Sequence, residues 1–239
     1  MIPASILPPR ECMSNTATPA NRAHEAEEEL VGVARWPATI AVLTISAIFF
    51  FISSRYTVGP RWAVLSVTAA LLIPLWVTRS RGLHLWTHGI ALALNALLTL
   101  AVASSAILLF YRLYTGETQA FALLRDAILI WGVNIVVFAL WYWNLDAGGP
   151  ARRHPGKHAS TDFAFPQQQQ DDDGLVEGWS PGFTDYLFLA FNTSTAFSPT
   201  DTLVLARRMK VLMMMQSAIS LLIVAVLAAR AINTIGSGN

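Results

Sequence analysis

Long apolar runs, with the charges gathered between them, are the feature that most restricts what this chain can become. The 16 basic and 15 acidic residues sit mostly in short clusters rather than at helical or strand period within the apolar stretches. A soluble core intersperses its charges. A bilayer segregates them, because a charge at the hydrocarbon centre costs at least about 2.5 kcal/mol. With 54% hydrophobic and 13% charged residues in a chain of 239, the pattern reads as all-α: a polytopic transmembrane helical bundle whose first partner is the lipid bilayer. The net charge of +1 leaves no footprint for nucleic acid. A single cysteine, Cys12, excludes an intrachain disulfide and any cysteine-rich metal module.

Crossing ~30 Å of hydrocarbon takes about 20 helical residues at ~1.5 Å each. Five runs qualify: 36–53, 62–77, 88–111, 121–143 and 211–232. Trp36 suits the membrane interface and Pro37 the first turn of a helix. Pro74 falls near the end of the second run, where the remaining turn lies close to water. Trp141, Tyr142 and Trp143 close the fourth run as an interfacial belt. Before these runs, residues 1–35 are rich in proline, polar groups and acid, including Glu25, Glu27, Glu28 and Glu29. They read as a disordered tail, not a secretory signal. The division expected is therefore a tail (1–35), a four-helix transmembrane region (36–143), a flexible loop (144–181) and a C-terminal part (182–239). In that loop Phe163 and Phe165 are expected to lie back on the membrane surface.

Residues 183–197, bracketed by Pro181 and Pro199, do not fit the spanning rule. Fifteen helical residues reach only about 22 Å, and the latter half is polar. Such a segment persists at membrane depth only where it is buried in protein or lines a water-filled cavity. The expectation is thus five full spans plus one short re-entrant or half-spanning helix. Basic residues give a separate check. With re-entry, Arg10, Arg22, Arg35, Arg79, Arg81, Arg152, Arg153, Lys157, Arg207, Arg208 and Lys210 share one side, eleven against five. Full crossing would leave nine against seven. The larger asymmetry favours re-entry with the N-terminus in the cytoplasm.

Several blocks together carry a resemblance: GPRW at 59–62, NIVVFALWYWNLDAGGP at 134–150, DFAFPQ at 162–167, DYLFLAFNTSTAFSPTDT at 185–202 and an ARAINTI ending. Over roughly 36–235 the chain resembles a family of uncharacterised bacterial multi-spanning membrane proteins. That implies a bacterial plasma-membrane location and supplies no activity. The C-terminal segment has a weaker likeness to two-helix pore-loop potassium channels, with their filter of the type T-x-T-T-V-G-Y-G-D. Thr193, Thr195 and Asp201 match. Ser198 and Thr200 replace the glycines and Pro199 the tyrosine, so the carbonyl column of such a filter is not expected.

Asn192, Thr193, Ser194 and Thr195, followed by Ser198, Thr200 and Asp201, form the strongest candidate for an ion or solute site. Hydroxyls, an amide and a carboxylate gather where a short helix ends, and the freed carbonyls of that end attract a cation. The plainer reading is a turn with an N-cap into the last helix. Gln216 and Ser220, one turn apart in the last run, and Asn134 in the fourth are candidates to line a path. As glue between helices they would contribute only about 0.6 kcal/mol each. Asp126, two turns before Asn134 on the same face, reads as an interfacial cap beside a snorkelling Arg125, the alternative being an ion or proton relay, which would want the carboxylate buried. His84/His88 and His154/His158 lack a third ligand, and Met213, Met214 and Met215 point different ways round a helix, so no metal and no cofactor is expected. With no catalytic spacing present, an enzyme is not expected. A channel- or transporter-like homo-oligomer acting on a small solute or ion is the leading expectation, and a membrane scaffold without transport the alternative.

Overall fold

Helices satisfy their own backbone hydrogen bonds, and this chain adopts them wherever its apolar runs are long. The computed structural model describes residues 36–52, 54–60, 62–115, 120–150, 161–168, 179–198 and 201–236. Among them are six α-helices: α1 Trp36–Phe51, α2 Trp62–Ser80, α3 His84–Thr115, α4 Ala120–Leu145, α5 Phe183–Thr195 and α6 Arg207–Gly236. Three stretches, Leu85–Thr115, Phe121–Gly148 and Arg207–Arg230, are long and apolar enough to cross a membrane. The apolar helices Trp36–Phe51 and Trp62–Thr78 are shorter. The protein is therefore an all-helical chain with three clear candidate spans. The tail 1–35 and Thr200 lie outside the described residues.

Helix α4 is the centre. It packs against α1, α3, α5 and α6, while α2 packs on α1 and α3. Of its apolar window 61% is buried inside the protein, against 39% for the α3 window and 28% for that of α6. Its buried side chains include Leu123, Ile130, Val137, Phe138 and Trp143, spaced to face neighbours on several sides. Proline does not end α2. The helix continues past Pro74, and the Thr78 hydroxyl donates to the Pro74 carbonyl at 2.8 Å. The helices also overrun the apolar runs, because α3 starts at His84 and α6 at Arg207, where polar turns extend beyond the hydrocarbon requirement.

The flexible middle expected of 144–181 falls largely on 151–160 and 169–178, outside the described residues. Where the segment is described, it is docked rather than loose. Residues Asp146–Gly148 form a 3-10 turn after α4, and Gly149, at φ +97°, makes the exit where a Cβ would lie 2.9 Å from the Asn144 carbonyl. Strand β1, Phe163–Ala164, pairs antiparallel with β2, Leu203–Val204, in the register Phe163↔Val204 and Ala164↔Leu203. Phe163 and Phe165 are buried in protein, in edge-on contact with Tyr142, Tyr186 and Trp179. Aromatic stacking of this kind, worth about 0.5–1.5 kcal/mol per pair beyond burial, holds the segment under the bundle instead of on a lipid surface.

Candidate functional site

Helix α5 starts beside the end of α4 and runs back along it. At its start, the Asp185 carboxylate accepts a hydrogen bond from the Gly182 N–H at 2.7 Å, capping a free donor where the helix dipole favours negative charge. The Phe183 and Tyr186 rings meet Trp143. Thirteen residues carry the helix about 20 Å to Thr195, with Phe191 against Trp131, near the middle of α4. Past Ala196, Phe197 takes φ +53°. This left-handed conformation ends helices readily but is costly for a bulky residue. The described chain resumes at Asp201 and enters β2 at Leu203. The start of α5 and the β2 segment with Leu205 and Ala206 thus lie at one end of the bundle, the two feet of a hairpin whose inward limb is α5.

A buried carboxylate ties the two feet of the hairpin together. Asp146, 1% exposed, accepts from the backbone N–H of Asp162 (2.8 Å) and Phe163 (3.2 Å) and from the Tyr186 hydroxyl (2.5 Å). The Asp162 carbonyl accepts from the N–H groups of Leu205 and Ala206. Its carboxylate is ion-paired with Arg208 at the start of α6, and Arg208 also donates to the Leu145 carbonyl. The Asp146 carboxylate therefore fixes the end of α4, the β1 segment and α5, while Asp162 holds Leu205 and Ala206 through its carbonyl and α6 through its carboxylate.

Deeper in, the polar residues of the hairpin divide. Gln216 Nε2 donates to the Ala190 carbonyl and the Ser194 hydroxyl, both at 2.7 Å, and the Tyr142 hydroxyl donates to Gln216 Oε1 at 2.5 Å. Asn134 Nδ2 donates to Ser220 Oγ at 2.8 Å and lies 3.4 Å from the Gln216 carbonyl. The Thr193 hydroxyl donates to the Leu189 carbonyl at 2.8 Å. Thr193, Ser194, Asn134, Gln216 and Ser220 are all buried, forming a closed seam between α4, α5 and α6. Only Asn134 Oδ1 in this group lacks a partner among the described residues.

Thr195, Ala196, Phe197 and Asp201 face outward, and Asn192 and Ser198 are half-buried. Asn192 and Thr195 turn back on their own helix, to the carbonyls of Phe188 and Phe191 at 2.9 Å each. The ten sequence candidates therefore do not make one site: five form the seam, four lie on or near the open tip and return limb, and Thr200 lies outside the described residues. Two further readings change. Asp126 is not a surface cap. It is fully buried, with Arg125 donating to its Oδ1 from Nε at 2.9 Å and Nη2 at 2.8 Å. Of the three consecutive methionines, Met213 is buried while Met214 and Met215 are exposed, as helical spacing requires.

Sequence reasoning passed over Asp146, Asp162, Tyr142 and Tyr186 as functional residues. The signal available was a carboxylate directly after an apolar aromatic span, where a buried acid needs several donors. Compared with family models, with curated proteins and with solved structures, the chain matches none.

Proposed function

We propose that the protein is a channel- or transporter-like membrane protein in which the tip and return limb of the hairpin, 195–201, contact a small solute or cation. One observation carries this reading: α5 ends near the middle of α4 with Thr195, Ala196, Phe197 and Asp201 exposed, while Gln216 of α6 bonds its other face at Ala190 and Ser194. The terminal carbonyls of α5 present the negative end of its dipole, and Asp201 adds a full charge on the same limb. Non-helical backbone at membrane depth is stable only in protein or against water. Copies of the chain facing one another across this limb would supply both, so the working unit is a homo-oligomer. The bacterial plasma membrane, five crossings and a cytoplasmic N-terminus complete the reading, the last on the eleven-to-five split of basic residues.

Proteoliposomes containing a potassium- or proton-sensitive dye test it. Wild type is expected to pass one of these cations, with Thr195→Val and Asp201→Ala changing the rate and Ser217→Ala, on α6 facing the Thr193 carbonyl at 3.5 Å, leaving it. Equal flux in protein-free vesicles and in all variants would remove the transport reading. The closed seam favours a second reading, a scaffold whose hairpin is a packing wedge. Absence of flux together with a partner crosslinked through 144–181 would support it.

A further inference from the structure

The two ends of the bundle use their basic residues differently. The start of α6 lies beside the end of α4, where Arg208 donates to the Leu145 carbonyl. The α2–α3 turn is at the same end, since a Cβ on Gly149 would lie 3.5 Å from Nδ1 of His88, just inside α3. At this end Arg81, Arg207 and Lys210 are exposed. Among the described residues none of the three makes an ion pair or a side-chain hydrogen bond. At the far end Arg55, Arg112, Arg125 and Arg230 are each already engaged. Unused positive charge among the described residues is therefore confined to one end.

The described acids of that end leave it unneutralised. Asp146 is held by two backbone N–H groups and Tyr186, Asp162 by Arg208, and Asp185 by the Gly182 N–H. Asp201, exposed two residues before β2, pairs with neither Arg207 nor Lys210.

Arg207 and Lys210 head one continuous outer face of α6. Arg207, Lys210, Val211, Met214, Ala218 and Leu221 recur at helical spacing and are all exposed. Met209, Met213, Gln216, Ser220 and Ile223, on the opposite side, are buried. From Val211 to Leu221 the outer face is apolar over about 15 Å, half of a ~30 Å hydrocarbon core and so the depth of one leaflet. Just before the helix, Leu203 and Leu205 are 54% and 55% exposed, on one side of an extended segment as strand alternation requires. The surface is thus cationic at its head and apolar for one leaflet below, with two leucines beside the head.

We propose that this face of α6 docks an anionic phospholipid from the leaflet at that end. The Arg207 guanidinium matches phosphate oxygens as a fork, and Lys210 adds a compact charge. The acyl chains lie along Val211, Met214 and Leu221. Basic residues at the end of a membrane span attract anionic lipid on this principle, and lipid docking here requires no transport through the hairpin.

The test uses the full chain in neutral detergent. It is titrated with short-chain phosphatidylglycerol, with phosphatidylcholine of equal chain length, and with glycerophosphoglycerol, the first lipid's headgroup without chains. Phosphatidylglycerol is expected to bind at least about ten-fold more tightly than either of the others. Arg207→Gln and Lys210→Gln, both at exposed and unpaired positions, are each expected to cut that preference about five-fold and together to abolish it. Arg55→Gln, which removes the same charge from the far end, is expected to leave it unchanged. Equal binding of the two lipids, a preference that survives the double variant, or one that falls as far in Arg55→Gln, would overturn the proposal. So would free headgroup binding as tightly as the lipid. Ready maleimide crosslinking between copies carrying Met214→Cys and Cys12→Ser, in intact membranes, would give the face to a second copy and overturn it as well.

Discussion

The two sides of helix α5 use similar residues for opposite ends. On the inner side Thr193 and Ser194 are buried, and Gln216 fills its donor capacity with Ser194 and Ala190 and accepts from Tyr142. At the outer end Thr195 turns its hydroxyl back on its own helix just as Thr193 does, but Thr193 is buried and Thr195 exposed. Residue type alone therefore does not mark a site in a membrane helix. What distinguishes glue from a candidate binding surface is whether neighbouring helices already cover the polar group.

The strongest way to break this division is to remove what holds the hairpin in place. Asp146→Ala leaves two backbone N–H groups and the Tyr186 hydroxyl without their acceptor, at about 1–3 kcal/mol for each donor left unsatisfied. Thermal unfolding in detergent is expected to show the largest loss of any single substitution here, with new proteolysis near the hairpin feet. Next comes the seam. Gln216→Leu removes the side-chain hydrogen bonds to Ala190, Ser194 and Tyr142 and is expected to cost about 2 kcal/mol, summing modest membrane hydrogen bonds. A loss below a few tenths would mean that the seam is not what fixes α5. Arg208→Ala breaks an ion pair whose arginine side is 55% exposed. About 1 kcal/mol or less is expected, shrinking as salt rises. The smallest effect on stability belongs to Thr195→Val, within about 0.5 kcal/mol as for an exposed position, even though its effect on flux is expected to be the clearest. A Thr195 variant as unstable as the Gln216 variant would erase the distinction between the two sides.

The helical skeleton was legible because bilayer thickness imposes a length on apolar runs, and 121–143 lies inside α4, Ala120–Leu145. The short helix was legible for the same reason, read as a failure of length. The pairing of Gln216 with Ser220 on one face followed from helical spacing, and both meet Asn134 as that face requires. The docking of β1 was not legible. Phe163 and Phe165 are apolar residues in a polar stretch, and only the donors gathered by Asp146, sixteen residues before Asp162, decide that they turn into protein rather than lipid. Burial of Asp126 escaped for a similar reason. Tyr56, on the α1–α2 turn, lies within its electrostatic reach, and one helix's sequence does not display such a neighbour.

Single-cysteine accessibility along 191–201, in a Cys12→Ser background and in intact membranes, tests the central claim most directly. Positions 195, 197 and 201 are expected to react with a water-soluble maleimide, and positions 193 and 194 to stay protected until the protein is unfolded. Reaction at 193 and 194 as fast as at 195, or protection of 195, 197 and 201 alike, would contradict a hairpin with one sealed face and one open tip.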